Sequence, residues 1–183
     1  LQTPSSIFVS PDGHGGMLAA LVRSGILAEA TRRGIEHFFY FQVDNPLVDI
    51  ANEEFLGYHL LARSEMTTQV IAKTDPLEKV GNAVAIDGRM RVLEYSDLPD
   101  DVAQRRHADG SLAIWAGSIG VHAISAAFLA RMADEADALP FHRASKKVPY
   151  VNAAGQQVQP AQPNAIKFER FIFDVMPLCR RAL

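Results

Sequence analysis

Between Phe38 and Val48 the chain reads Phe-Phe-Tyr-Phe-Gln-Val-Asp-Asn-Pro-Leu-Val. Its first six residues, Phe38 to Val43, are almost all aromatic or β-branched, which is the composition of a buried strand paired in parallel. Pro46 forbids continuation as an interior strand. Asp44 and Asn45 therefore fall at the strand's carboxyl end, where open α/β sheets bind their ligands. A carboxylate delivered there can hold a divalent metal over a substrate's phosphates. Asp, Asn and Pro are equally ordinary turn residues, and this stretch by itself leaves the two readings level.

The rest of the chain narrows the class. A length of 183 residues suits one domain or one lobe of a larger one, and a 48% hydrophobic content supports a real core. No segment is apolar enough to span a membrane, and the start, Leu1 to Ser6, has no charged signal or transit character. The net charge of −3, with Lys and Arg scattered, argues against nucleic-acid binding. Cys179 is the single cysteine, so no internal disulfide can form, which fits a cytoplasmic protein. It lies in an apolar stretch and reads as packing rather than as a nucleophile. The six histidines lack metal-ligand spacing, so no zinc site is expected. The chain opens on Leu1 rather than Met and ends at Leu183 in a run that reads as helix. Both suggest a piece of a longer protein.

In order, Ile7 to Val9 reads as a short strand, broken by Ser10-Pro11-Asp12-Gly13-His14-Gly15-Gly16. Met17 to Val22 and Ile26 to Ala30 read as helix, interrupted at Ser24-Gly25 and closed by Arg32-Arg33-Gly34. After the Phe38 strand, Asn52-Glu53-Glu54 makes a capped helix start with carboxylates in the first turn. Phe55, Leu56, His59 and Leu60 follow at helical spacing. Strand–helix–strand–helix is the signature of a doubly wound α/β sheet. Thr67 to Thr74 is β-rich. Ala83 to Ile86 and Met90 to Tyr95 flank Asp87-Gly88, a two-residue hairpin turn that leaves Glu94 and Tyr95 near a strand end. Asp100 to Asp109 reads as a polar helical link. Ser111 to Val121 is strand-like, with Gly117 and Gly120 permitting close backbone approach. Ser125 caps a helix through Phe128, Leu129, Met132 and Ala136. A second hairpin is expected around Gly155, between Val148–Val151 and Gln156–Val158, and a final helix from Phe168 to Met176.

Taken singly, the motifs are modest. The Gly13-His14-Gly15-Gly16 loop could cradle an anion or a base edge with its backbone N–H groups. Its spacing fits neither a dinucleotide fingerprint nor a Walker loop, and a plain tight turn is an equal alternative. Lys167 could neutralise a phosphoryl group or simply be solvated. Phe171 and Phe173 are of a kind more often found in cores. Glu94 and Tyr95 could read hydroxyl groups or close a sheet.

Six motifs in order carry more weight: Ser-Pro-Asp-Gly-His-Gly-Gly, Val-Asp-Asn-Pro-Leu, Lys73 to Gly81, Glu94-Tyr95-Ser96-Asp97-Leu98, Phe141 to Tyr150, and Asn164 to Asp174. From about Ser10 to Asp174 the chain resembles the UTP-dependent sugar-1-phosphate uridylyltransferases, in particular the UDP-N-acetylglucosamine pyrophosphorylase branch. The resemblance implies a Rossmann-like, GT-A-like nucleotidyltransferase core: an α/β mixed sheet flanked by helices. The implied reaction joins UTP to a sugar 1-phosphate, most simply N-acetylglucosamine 1-phosphate, with Mg²⁺ and loss of pyrophosphate. Glucose 1-phosphate, a broader sugar range, or a non-catalytic sugar-nucleotide-binding fragment are the alternatives. By motif, Gly13 and His14 would contact the uridine, and Asp44 would bind the metal. Glu94 would read sugar hydroxyls with Tyr95 beside it, and Lys167 would contact phosphates. Phe171 and Phe173 would wall the sugar's 2-substituent. Gly117 and Ser118 match a segment that often reads Asn-Ala-Gly-Asn, so Ser118 stands where a sugar-contacting Asn is common. The family's Gly-Gly-x-Gly-Thr-Arg loop and a further downstream lysine have no counterpart in residues 1–183. The chain is thus expected to be the central part of the catalytic domain, lacking the strand that carries the nucleotide loop.

Overall fold

The structure is a computed structural model that describes residues 6, 9, 13–133 and 139–183. Ile7 and Phe8 of the expected first strand, and Ala136 of the expected helix after Ser125, lie outside them. The first described elements are two short helices, α1 (Gly16–Arg23) and α2 (Ile26–Arg32), parted by Gly25 in the left-handed region at φ 74°. Strand β1 (His37–Tyr40) follows, then α3 (Glu53–Leu61). The expected cap is in place: Asn52 Oδ1 accepts from the Phe55 N–H at 2.9 Å. Helix α3 turns His59 inward, where Nδ1 meets Thr67 Oγ1 at 2.8 Å and Nε2 meets His37 Nδ1 at 3.0 Å. Leu60, expected on the same buried face, is exposed along with Tyr58 and Leu61.

Strand β2 (Met66–Ala72) leads to the hairpin β3 (Gly81–Ile86) and β4 (Arg89–Leu93). Asp87 and Gly88 both take positive φ, 51° and 74°, as a two-residue turn between right-twisted strands requires. The expected polar helix shrinks to one turn, α4 (Asp100–Ala103). The strand expected from Ser111 starts later, because Asp109 Oδ1 accepts from both the N–H and the hydroxyl of Ser111 and folds that segment into a turn. Strand β5 (Ala116–Ser125) is the longest of the sheet and ends at Ser125, whose hydroxyl caps α5 (Ala126–Ala133) by accepting from the Phe128 N–H.

The sheet is organised on β5. Strand β2 pairs with it along one side, while β1 and β3 share the other, each opposite one half, with β4 outermost beyond β3. All of these pairings are antiparallel, which corrects the expected parallel pairing of the Phe38 strand. That strand is also shorter than its composition suggests and only half-buried. It stops at Tyr40, and the chain turns at once, with the Asn45 N–H donating to the Gln42 carbonyl at 3.1 Å. Aromatic and β-branched composition reports a pleated, covered surface and carries no strand direction.

The last third forms a ribbon of β6 (His142–Lys146) and β9 (Ala165–Glu169), enclosing the small hairpin β7 (Tyr150–Val151) and β8 (Gln157–Val158). The final helix expected from Phe168 is instead β9 followed by a 3-10 helix, Ile172–Leu178. Alternating exposure along Ala165–Glu169, with Ile166 and Phe168 outward and Lys167 inward, is strand behaviour. The core lies between the sheet and α1, α2, α5 and the 3-10 helix, built on Leu18, Met66, Ile124, Phe128, Ile172 and Met176. Cys179 is buried at its edge, and burial pushes its thiol up to about 12, so it is packing, as expected, and no nucleophile. No helix among the described residues is long and apolar enough to cross a membrane.

Phe128 is wholly buried at the contact of α5 with the sheet. Phe128→Ala should cost about 3–5 kcal/mol in urea unfolding. A loss below about 1 kcal/mol would mean that the helix layer is not packed as described.

Candidate active site

The site starts from glycines. The Gly15 N–H donates to the Arg170 carbonyl at 2.7 Å, and a Cβ on Gly15 would stand 2.6 Å from that carbonyl carbon. Gly13 adopts φ 80°, and a Cβ there would collide with the Arg170 carbonyl oxygen. Only glycine lets this loop press its backbone onto the end of β9. His14 is thereby held among aromatic rings: stacked on Phe171 at 5.1 Å, tilted to Phe173 at 5.5 Å and to Tyr40 at 6.0 Å. Its Nδ1 accepts from the Ile172 N–H at 3.1 Å, so the neutral ring carries its proton on Nε2. That nitrogen makes no hydrogen bond among the described residues. Burial lowers the His14 pKa, against a smaller opposing pull from Glu169, and the ring is neutral at pH 7. Beneath it Tyr40 stacks at 5.6 Å on His122, which is wholly buried and pushed down to about 3 by burial.

A cleft of about 240 Å³ opens beside this cluster. It gathers His14 from the glycine loop, Gln42 from the turn after β1, Gly81 from β3, Glu94 from the end of β4, Ser118 from β5 and Phe173 from the 3-10 helix. A larger recess of about 590 Å³ lies at the Asp87–Gly88 turn and residues 178–182, and holds none of the residues that the motifs single out. Ser118 is buried, its hydroxyl 3.4 Å from that of Thr68. Glu94 is half-buried, and burial, reinforced by Asp97, raises its pKa despite the opposing His142. Asp44 is exposed and makes no hydrogen bond or ion pair among the described residues; partial burial raises the pKa of the half-buried Tyr40 hydroxyl, and the Asp44 charge adds to it.

Six of the expected site residues do not line the cleft: Gly13, Asp44, Tyr95, Gly117, Lys167 and Phe171. Lys167 faces inward from β9 but is ion-paired with Glu169 at 2.8 Å, and only the Glu169 charge is felt at His14. Tyr95 is exposed and lines a small neighbouring recess with Lys79 and Asn82. A Cβ on Gly117 would point against Val80 and Lys73, whereas Ser118 lines the cleft. Phe171 backs the wall through His14 and Phe173. Sequence reasoning missed Gln42, Gly81 and Glu169, although Gln42 is the one polar residue of its aromatic run and the other two lie inside motifs already singled out.

A magnesium ion takes one or two carboxylates and fills its remaining positions with water and substrate phosphates. Asp44, exposed and uncommitted to any neighbour, satisfies that donor requirement. Among the described residues no group of three or more His, Cys, Asp or Glu could form a cage from protein alone.

The antiparallel-paired sheet with its helical cover and this motif-lined cleft define part of a Rossmann-like nucleotidyltransferase domain. The chain belongs to the UTP–glucose-1-phosphate uridylyltransferase family, whose profile matches residues 3–174. It is 40% identical over 176 residues to human UDP-N-acetylhexosamine pyrophosphorylase-like protein 1, covering 96% of this chain and 35% of that protein. It is 35% identical over 177 residues to the UDP-N-acetylglucosamine pyrophosphorylase of Saccharomyces cerevisiae, covering 96% and 37%. The fold superposes at a TM-score of 0.85, with 35% identity, on the crystal structure of an Entamoeba histolytica protein assigned as a UDP-N-acetylglucosamine pyrophosphorylase, over 96% of this chain and 43% of that one. The 183 residues thus span well under half the length of these relatives.

Because Glu94 has a raised pKa in the folded state, its ionisation opposes folding. Its stability contribution is complete below the ordinary value of 4.5 and is lost as pH rises through the raised one. Glu94→Gln should therefore raise the unfolding midpoint at pH 7 and leave it unchanged below that ordinary value. A midpoint that falls at pH 7 would show that the carboxylate is net stabilising.

Proposed function

We propose that the full-length protein is a uridylyltransferase that joins UTP to N-acetylglucosamine 1-phosphate, releasing pyrophosphate. The observation that carries this reading is the convergence in one cleft of His14, Glu94 and Phe173, from three separate family motifs, with Ser118 from a fourth matching segment. The names of the relatives supply the sugar. In this reading the neutral His14 offers its Nε2–H to a uracil acceptor, with the glycine loop leaving room for the base edge. Glu94 accepts hydrogen bonds from sugar hydroxyls, and Ser118 offers a shorter-reaching hydroxyl beside it. Phe171 and Phe173 close the apolar side against the N-acetyl group. A phosphate oxygen of the sugar 1-phosphate attacks the α-phosphorus of UTP in line, and pyrophosphate leaves. Such transfer depends chiefly on positioning and charge neutralisation. Asp44 would hold Mg²⁺, which neutralises phosphate charge when bound. Lys167 would reach phosphates by exchanging its partner Glu169 for them. A cytoplasmic location follows for an enzyme of these soluble substrates whose one cysteine within these residues is a buried thiol.

Pyrophosphate release by the full-length protein, with UTP and a panel of sugar 1-phosphates, tests the reading. Activity should be greatest with N-acetylglucosamine 1-phosphate and should vanish on chelation of divalent cations. No release with any sugar would refute it. Asp44→Asn should lower kcat by at least about a hundredfold with little change in melting temperature. Near-normal turnover in that variant would remove the metal role from Asp44. Lys167→Ala should lower turnover while uridine binding persists. A variant that instead unfolds, with the folded fraction fully active, would make the lysine structural.

A further inference from the structure

His142, at the start of β6, ties together three elements around the cleft. Its Nε2 lies 2.8 Å from Asp174 Oδ2 in the 3-10 helix, and its Nδ1 lies 3.3 Å from Asp97 Oδ2 in the turn after β4. Ionised carboxylates only accept hydrogen bonds, so two such partners call for a proton on each ring nitrogen. With both carboxylates ionised, the ring is an imidazolium. Its face meets Phe171 at 4.7 Å between centroids, and Phe171 in turn backs His14 and Phe173. On the other side, the Asp97 N–H donates to the Glu94 carbonyl at 2.9 Å, so anchoring Asp97 also anchors the turn that carries Glu94.

We propose that His142 is a positioning residue for the sugar half of the site: as a cation bridging Asp97 and Asp174, it fixes both the Glu94 turn and the Phe171 ring. This rests on the uridylyltransferase reading given above. The groups facing the ring are Asp97 and Glu94 from the end of β4, Asp174 from the 3-10 helix and its cross-strand partner Glu169 from β9. Arg91 of β4 lines a recess together with Glu94, Asp97, His142 and Asp174. Asp174 and Asp97, the two carboxylates within hydrogen-bonding distance, favour the cation, whereas Glu169 is already paired with Lys167. Burial by itself would lower the His142 pKa, but the hydrogen bonds and charges of Asp174 and Asp97 outweigh it and hold the ring above its ordinary 6.5. The clamp is consequently complete below that value and is lost as pH rises through the raised one.

The test uses the full-length protein between about pH 6.5 and about pH 9, measuring kcat and both KM values for the wild type, His142→Gln and Asp97→Asn. In the wild type, KM for the sugar 1-phosphate should rise on the alkaline side while KM for UTP stays level. His142→Gln should show that KM raised about tenfold at the acid end already, flat with pH, with kcat and KM for UTP within about twofold. Asp97→Asn, which keeps the shape but removes one charge, should shift the wild-type rise to lower pH. NMR titration of the His142 ring should find both nitrogens protonated at the acid end. A neutral ring there, or an active His142→Gln enzyme that keeps the wild-type profile, overturns the role of His142 alone. So does a His142→Gln protein in which kcat and both KM values fail together, provided Asp97→Asn leaves the profile unmoved. A wild type inactive with every sugar 1-phosphate overturns the uridylyltransferase reading itself, and the sugar role of His142 with it.

Discussion

The contact of backbone on backbone between the Gly13–Gly16 loop and Arg170 is the constraint on which the site depends. It joins segments more than 150 positions apart through a hydrogen bond from Gly15 to Arg170 and another from Ile172 to His14. Side chains at Gly13 or Gly15 would occupy the space of the Arg170 peptide. With them absent, α1 starts directly beneath the end of β9, and His14 is driven between Phe171 and Tyr40. Ring stacking and a desolvated, neutral imidazole follow from that one approach. So does the position of the 3-10 helix, whose Ile172, Val175 and Met176 complete the core.

The core and the cleft are therefore not separate objects. Phe173 belongs to the buried cluster and also lines the cleft. Tyr40 bridges the two, with Gln42 donating to its hydroxyl at 3.0 Å on one side and His122 stacked on the other. A wall anchored this way has few rotamers available, so a ligand meets surfaces ordered in advance and loses less freedom on binding. The charged groups follow another rule. Glu94 and Asp174 are held half-buried at raised pKa, with His142 between Asp174 and Asp97 as their counter-charge. Asp44 sits outside that cluster, exposed and without a hydrogen-bonding partner among the described residues. The carboxylates beside the cleft are thus partly dry, and Asp44 is wet.

Much of the local structure was legible in the chain because it depends on near neighbours. Asp87-Gly88 made a hairpin since few pairs tolerate two positive φ values in succession. Asn52 and Ser125 capped helices because their side chains reach the third N–H ahead. Gly25 parted two helices as its position between periodic runs suggested. The order of six motifs was sufficient to place the chain in its family and to put Gly13, His14, Asp44 and Glu94 among the candidates, with Ser118 added from a segment that departs from the family's usual Asn.

What the tertiary structure alone decided is pairing and facing. Phe38 to Tyr40 has the composition of a covered strand whichever way its neighbour runs, and only the register against β5 made it antiparallel. Lys167 looked like a lone cation because sequence shows no side-chain direction. Alternation along β9 puts it on the same face as Glu169, which pairs with it. Gly117 and Ser118 are adjacent in sequence, yet successive residues of a strand point to opposite sides, so only one lines the cleft. His142, Asp97 and Asp174 lie up to 77 positions apart, and no periodicity links them. Local propensity acts over a few residues, whereas a site assembled from strand ends is set by which strands the whole core brings together.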